Sequence, residues 1–443
     1  MFEFSDGQRR AIERIEQAGE GEFIFATGKA GTGKSTVLRW IRGKYPCIVL
    51  APTGLAAVNV GGQTIHSFFR FKTGGLSRSD AKPLAADRAL AVRKARFIIV
   101  DEISMVRADL LDAMDASIRK TLGVNRPFGG KTIVAIGDMW QLEPVVTNDE
   151  RERFVGMPYK SPFWFDARVF NHDGPLFDEE TRVETYELAD VFRQVGNPEF
   201  VDALNAVRTG DPAGLFYINA RAGIEAEGMP VRITFGNRRA DDVNAVELDR
   251  IEGLGEVFHA EVTGEFEMKN PPAPITLELK IGARVMVTRN TFDYRGEQSV
   301  VNGDVGTVTG FYEVGPQVLL DDGRHVILGR AEWEAKTQTY DTTTDTIGER
   351  VSGTMRQYPL RLAWAITAHK SQGATMDNVQ LELEMPAFSH GQLYVALSRV
   401  RTFEGLHLRR KLTPKDIVVN PRVVEFFGVP AARESLFDME ALA

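Results

Sequence analysis

The stretch FIFATGKAGTGKS, residues 23–35, decides the fold. It opens on an apolar run that reads as a buried strand, turns through three glycines within six residues, and continues into the helical pattern KSTVLRWIRGK. Its core, GKAGTGKS at 28–35, fits the spacing G-x-x-x-x-G-K-[ST]. Each residue type has a physical reason. Gly31 and Gly33 let backbone N–H groups turn inward on phosphate oxygens. The helix beginning near Lys34 adds its positive end. Lys34 reaches the β- and γ-phosphates of a nucleotide, and the Ser35 hydroxyl is placed to ligand Mg²⁺. Gly28, Ala30, Thr32 and Thr36 complete the expected phosphate-binding set.

Two further strand ends belong with this loop. FIIVDEIS ends an apolar run in Asp101 and Glu102. Beside a phosphate loop, Asp101 is expected to hold Mg²⁺ through water, and Glu102 to orient and deprotonate an attacking water. The run KTIVAI leads into GDMWQLEPV, residues 137–145. Gln141 then projects from a strand end, where open α/β sheets bind their ligands. A neutral amide there can detect a terminal phosphate without becoming a competing base. With CIVLA at 47–51 these strands alternate with helical patterns up to about residue 145, a doubly wound α/β unit.

Composition sets the bounds. The chain has 443 residues, 43% apolar and 26% charged, so two to four soluble globular domains are expected. No apolar run reaches membrane-spanning length. The N-terminal residues MFEFSDGQRRAIERIEQ lack the apolar core of a signal peptide. Cys47 is the only cysteine, which excludes an internal disulfide and a cysteine-based zinc site. A reducing, cytoplasmic setting of bacterial or phage type is expected. Net charge is −8, yet residues 67–96 carry eight Lys/Arg against Asp80 and Asp87. That concentration reads either as a solvated face or as a track for a nucleic-acid backbone.

The second half repeats the α/β pattern without a phosphate loop of its own. VRITFGN, LRLAWAITAHKSQG, LYVALSRV and LHLRR carry it. Between them, from about 256 to 350, short strands with turns every ten residues or so suggest a small β-barrel. Arg193 in LADVFRQ and Arg399 in YVALSRVR are candidate cations for phosphoryl transfer. An arginine from a second domain contributes about 10³–10⁵ in rate.

These blocks, taken in order, resemble a superfamily 1 helicase: SDGQRRAI, GKAGTGKS, APTGLAA, TIHSFF, DEIS, GDMWQLEPV, FRQ, TAHKSQG and YVALSRVR. GDMWQLEPV resembles the 5′-to-3′ DNA helicases of superfamily 1B. APTGLAA with TIHSFF is most similar to the petite-integration-frequency (PIF) group, with RecD-type and Dda-type enzymes as relatives. The resemblance covers residues 5 to about 410 and implies ATP and Mg²⁺ as cofactors. It implies two RecA-like domains, at 1–66 with 97–185 and at 186–255 with 351–430. A small wedge-bearing insertion at 67–96, an SH3-like β insertion at 256–350 and a tail at 431–443 complete the arrangement. Gln8 would read the adenine edge and Gly373 would border the nucleotide. Gln141, Arg193 and Arg399 would contact the γ-phosphate. Thr53, Gly54, Thr64, His66, Thr367, His369 and Ser371 would line a single-strand groove, positioning phosphates without reading sequence. Phe68 and Trp140 would either stack on bases or pack in the core.

The expected activity is ATP-dependent 5′-to-3′ translocation on single-stranded DNA, with unwinding of tailed duplexes. G-quadruplex unwinding is a family expectation. The expected state is a monomer or a DNA-induced oligomer, with no membrane partner. The alternatives are an RNA-directed helicase, separable by comparing ATPase stimulation by DNA and RNA, and a non-processive ATP-gated clamp. Intact Glu102, Gln141, Arg193 and Arg399 argue against the clamp.

Overall fold

The computed structural model describes residues 4–72, 74–146, 150, 159–170, 183–189, 197–266, 271–297, 299–341, 346–383 and 386–428. It is a mixed α/β fold built on two parallel sheets. The first sheet has six strands in the order β3-β2-β4-β5-β1-β6. They are β1 (Phe23–Gly28), β2 (Cys47–Ala51), β3 (Gln63–Thr64), β4 (Phe97–Val100), β5 (Thr132–Gly137) and β6 (Val183–Leu188). All pairings are parallel. β1, β2, β4 and β5 are buried along their whole length, as a sheet covered on both faces requires. Helices Asp6–Glu16 and Lys34–Lys44 share one of its apolar clusters, and helix Ala108–Leu122 belongs to the other.

The second parallel sheet has four strands, Ala365–Thr367, Val231–Thr234, Val379–Leu381 and Leu406–Leu408, in that spatial order. Helix Pro198–Thr209 packs on it through Phe200, Leu204 and Val207. The chain between these strands is β-rich. A five-stranded antiparallel sheet takes in Arg284–Val287, Val305–Tyr312, Gly315–Leu320, His325–Ile327 and Leu360–Leu362. A long hairpin, Ala331–Asp341 with Thr346–Gln357, leaves it and reaches the first sheet. There the side-chain amide of Gln338 brackets Val49 of β2, accepting from its N–H at 3.0 Å and donating to its C=O at 3.1 Å. β3 pairs only with Leu50 and Ala51, so Gln338 supplies the ladder bonds that this short neighbour leaves open.

Several expected boundaries move. β6 is bonded to β1 throughout, so the first sheet runs to Leu188 rather than stopping at 185. The β-rich region extends to Leu362 rather than 350, because Thr346–Gln357 and Leu360–Leu362 belong to its sheets. Residues 67–96 have no separate core. Phe68, Phe69, Leu76, Ala91 and Val92 share the cluster of the first sheet. Several charges of this segment are spent internally. Arg78 pairs with buried Asp115 at 2.8 Å, and Arg88 donates to the carbonyls of Ser67 and Phe68. Arg93 donates to the Thr121 carbonyl.

Helix Pro421–Phe427 leaves the second lobe and docks on the first. Phe426 stacks on Phe165 with centroids 4.4 Å apart, and Arg422 grips Asp166 at 3.1 and 2.5 Å. The two lobes are therefore strapped together by helix Pro421–Phe427 as well as at the hairpin.

Candidate active site

The phosphate loop joins β1 to helix Lys34–Lys44. Gly31 has φ +82° and Gly33 φ +79°, a left-handed conformation that glycine adopts without steric cost. Gly33 is the helix N-cap and has no side chain to cover the first N–H groups, which stay directed at the loop. Gly28 is required for a different reason. A Cβ there would lie 2.7 Å from the Thr32 hydroxyl and 2.8 Å from the Leu188 carbonyl. The Lys34 ammonium donates to the carbonyls of Gly28 (2.7 Å) and Lys29 (2.9 Å). Burial pushes its pKa down, while Asp138, Glu102 and Asp101 pull it up. Ala30 and Thr32 are buried in the loop, and Ser35 and Thr36 open the helix behind it.

β4 delivers Asp101 and Glu102 beside this loop. Burial pushes both carboxyls up. For Asp101 the next cause is the Glu102 charge, and for Glu102 burial is opposed by Lys34. Glu102 has φ +50°, a strained backbone for a residue with a Cβ. Strain of this kind, about 1–3 kcal/mol, persists where the surroundings over-determine it. An acid pair next to the loop, Asp101 buried and Glu102 half-buried, with the Ser35 hydroxyl at the helix start, is a donor set suited to a hard divalent cation shared with phosphate oxygens. Among the described residues no cluster of three or more His, Cys, Asp or Glu forms an all-protein metal cage.

β5 delivers Asp138 and Gln141. Asp138 has no exposed surface. It accepts from the Trp140 N–H at 3.2 Å, the Gln141 amide nitrogen at 3.2 Å and the Arg208 guanidinium at 2.9 Å. Burial pushes its carboxyl up, and the charges of Arg208 and Lys34 outweigh that, holding it below the ordinary range.

The second lobe closes over these groups. Gln372 donates to Glu102 at 3.2 Å and to the Gln141 oxygen at 3.4 Å. The Tyr394 hydroxyl accepts from the Ala30 N–H of the phosphate loop at 3.3 Å. Gly391, at φ +72°, lies against Gln141, and a Cβ there would be 2.3 Å from the Gln141 carbonyl oxygen. His390 donates from Nε2 to the Met139 carbonyl (2.7 Å) and accepts at Nδ1 from the Asn420 N–H (2.9 Å). Arg399 is buried and donates to the Val395 carbonyl and the Ser398 hydroxyl, and its charge acts on Glu102. Lys34, Asp101, Glu102, Gln141 and Arg399 thus converge on one cleft. Arg193 lies outside the described residues.

Other expected site residues fare differently. Gln8 is buried, and its amide is used inside the protein, donating to the Thr32 carbonyl at 3.2 Å and accepting from the Ser5 N–H at 3.1 Å. It braces the phosphate loop rather than offering an open edge to a base. Gly373 has φ +83° on an exposed turn. The hydroxyls of Thr53 and Thr64 cap the helices that begin at Gly54 and Ile65, accepting from Ala56 N–H and Ser67 N–H at 3.2 Å each. A capping oxygen still has its own O–H to donate. His66 and His369 are half-buried, and burial lowers the His369 pKa.

Four residues do not fit a groove lining. Thr367 and Ser371 are buried. Thr367 accepts from the Lys370 N–H, and Ser371 donates to the Ala368 carbonyl. Phe68 has no exposed surface and packs edge-on to Phe69. Trp140 is 3% exposed and lies between Phe427, stacked at 5.6 Å, and the Arg208 guanidinium, 5.6 Å from its ring. Neither ring offers a face to a base, so the core-packing alternative holds for both.

Sequence reading missed Arg208, Gln372, Tyr394 and His390. Three of them sit inside or beside quoted blocks. Arg208 had a weaker signal. It continues the apolar stripe Phe200–Leu204 at the next i+4 position, where an arginine needs a buried counter-charge.

Comparison with known proteins follows this geometry. A family model described as PIF1-like helicase matches residues 3–213. The human ATP-dependent DNA helicase PIF1 is 34% identical over 94% of this chain, which spans 63% of that protein's length. The ATP-dependent DNA helicase Pif1 of Bdellovibrio bacteriovorus is 31% identical, covering 96% of this chain and 92% of that one. Among solved structures, Pif1 from Bacteroides sp. in complex with ADP-AlF4 matches with TM-score 0.83 at 32% identity, covering 97% of each chain. The same relative bound to single-stranded DNA matches with TM-score 0.67 at 32% identity over 96% of each chain. On the near-complete reciprocal coverage of the bacterial relative, the chain belongs to the PIF1-like helicase family.

Proposed function

We propose that this chain is an ATP-dependent DNA helicase that hydrolyses ATP in the cleft between its two parallel-sheet lobes and moves 5′ to 3′ along single-stranded DNA. One observation carries the reading. Glu102 and Gln141 of the first lobe lie within hydrogen-bond distance of Gln372 of the second, beside the Lys34 loop. A group held there is sensed by both lobes at once.

In this reading Lys34 neutralises the β- and γ-phosphates, and Ser35 and Asp101 hold Mg²⁺, which supplies charge stabilisation to the phosphates. Glu102 takes the proton of the attacking water. Gln141 and Arg399, with Arg193, answer to the γ-phosphate. Gly28, Ala30, Gly31, Thr32, Gly33 and Thr36 cradle the phosphates through the backbone, and Gly373 borders them from the second lobe. Thr53, Gly54, Thr64, His66 and His369 lie on segments that would meet the DNA backbone. The β-rich region at 256–362 is the counterpart of the SH3-like insertion. Binding energy released on one lobe reaches the other through Gln372, Tyr394 and Gly391, so nucleotide state sets lobe separation. The relative matches this chain at TM-score 0.83 with a nucleotide analogue and 0.82 unliganded, and at 0.67 with single-stranded DNA whether or not an analogue is present, so its arrangement differs with DNA. The direction of movement rests on the family likeness.

The test is Lys34→Ala. The unaltered protein is expected to unwind a duplex with a 5′ single-stranded tail when given ATP and Mg²⁺, and not one with a 3′ tail. The variant is expected to do neither while still binding the tail. Unwinding by the variant, or preference for the 3′ tail, contradicts the proposal.

A further inference from the structure

We propose that Arg208 is a positioning residue of the nucleotide site: reaching across from the second lobe, it keeps Asp138 ionised so that Asp138 fixes the orientation of the Gln141 amide. The inference rests on the reading of the cleft as an ATP-hydrolysing site and deepens it.

Arg208 ends the helix Pro198–Thr209, whose apolar face is in the core of the second sheet. Asp138 follows β5 of the first sheet. Their ion pair, at 2.9 Å with side chains 6% and 0% exposed, therefore joins the lobes immediately behind the sensor. A side-chain amide has a donor end and an acceptor end, and Gln141 can face the site either way. An ionised carboxylate only accepts. Asp138 lies 3.2 Å from the Gln141 nitrogen, so while ionised it admits the nitrogen end and excludes the oxygen end. The amide oxygen is then left toward Gln372, 3.4 Å away, and the second N–H of the nitrogen remains to be donated. Protonated, Asp138 becomes a donor, and the flipped amide is equally acceptable to it.

What keeps a fully buried carboxylate ionised is its counter-charge. The groups facing Asp138 are Arg208, Lys34 and Lys29, with Glu102 from β4 and Tyr394 and His390 from the second lobe. Among the described residues only Arg208 makes an ion pair with it at bonding distance. The guanidinium is itself braced over the Trp140 ring, and its Nε has no partner among the described residues. Among the described residues, Asp138 is the group that Arg208 bonds. Opening of the lobes would withdraw the guanidinium and relax the sensor, so Gln141 is set only when the second lobe is in place.

The experiment measures DNA-stimulated ATP hydrolysis from pH 6 to 9 for the unaltered chain, Arg208→Gln, and the pair Asp138→Asn with Arg208→Gln. In the single variant, Asp138 loses its bonded counter-charge, keeps only those of Lys34 and Lys29, and ionises at higher pH than before. The expected result is a KM for ATP within about threefold of the unaltered chain and a kcat at least about tenfold lower near pH 7, recovering as pH rises. In the double variant the amide at 138 can donate as well as accept, so it leaves Gln141 free to face either way, and it does not titrate. Its kcat is expected to stay at least about tenfold low at every pH, with no recovery as pH rises and with KM for ATP little changed. All other titrating groups are common to the three proteins, so a profile that shifts only in the single variant belongs to Asp138. An unchanged kcat in Arg208→Gln overturns the inference. So does a loss in the single variant that does not recover as pH rises, accompanied by a raised KM, which would put Arg208 on the phosphate itself. If the single variant does not fold, the double variant decides: a lowered kcat with KM little changed supports the inference and a near-normal kcat refutes it. Absence of hydrolysis in the unaltered chain would instead overturn the reading of the cleft, and this inference with it.

Discussion

Replacing Trp140 by alanine separates two accounts of the segment GDMWQLEPV. The indole is 3% exposed and is held by Phe427 on one side, the Arg208 guanidinium on another and His390 at 6.5 Å. Truncating a buried aromatic to alanine removes its transfer energy and leaves a cavity, about 3–5 kcal/mol together. Part of that loss falls on the docking of helix Pro421–Phe427, because Phe427 loses its stacking partner. For a lobe of this size each kcal/mol lowers the unfolding midpoint by about 2–4 °C, so Trp140→Ala should melt roughly 10 °C or more below the parent. Trp140→Phe keeps a ring against Phe427 and should lose only a small part of that. The assay is a thermal melt of each variant, paired with fluorescence-anisotropy titration of a single-stranded oligonucleotide well below the melting temperature. A base-stacking tryptophan predicts the reverse pattern: an unchanged melt and an affinity loss of about 1–3 kcal/mol. An unshifted midpoint in Trp140→Ala would refute the packing argument.

Glu102→Gln should keep ATP binding and lower kcat by about 10²-fold or more, since a general base of this kind contributes 10²–10⁴; nucleotide titration and steady-state hydrolysis separate the two. Gly391→Ala places a methyl 2.3 Å from the Gln141 carbonyl at φ +72° and should destabilise the closed lobes by roughly 2 kcal/mol or more. Gly373→Ala meets nothing within 4 Å and should show only the backbone strain, so the melts of the two variants should differ. Burial lowers the His390 pKa, outweighing the Met139 carbonyl that raises it, and the Asn420 N–H needs Nδ1 unprotonated. A group depressed in the folded state contributes stability above its unfolded pKa, about 6.5, that is lost as pH falls towards the folded value. The melting temperature should therefore fall between pH 7 and 5.5, and His390→Gln should fall less.

Much of the first lobe was legible because its signals are local. The phosphate loop announces itself by glycine spacing, and β1, β2, β4 and β5 are unbroken apolar runs because both faces are covered. β6 was missed as part of the first sheet for the converse reason. It is an edge strand with its residues mostly half-exposed, and VETYEL carries no apolar run to mark it. The destination of helix Pro421–Phe427 is set by contacts with residues more than two hundred positions away, such as Arg422 with Asp166, and no local pattern encodes that partner. Phe68 and Trp140 show the same limit. An aromatic beside a motif turn reads alike whether it faces solvent or core, and only tertiary packing decides, within the first lobe for Phe68 and against Phe427 and Arg208 for Trp140. The residues that build the cleft from its far side, Gln372, Tyr394 and Arg208, are defined by what they touch across the lobes.

A structure with ADP–aluminium fluoride and Mg²⁺ bound would test the central claim most directly, that both lobes hold one terminal phosphate. The account predicts the fluoride within hydrogen-bond distance of Lys34, Gln141 and Arg399 together. Fluoride held by the first lobe alone, with Arg399 still bonded to Val395 and Ser398 and no second-lobe group in reach, would contradict it.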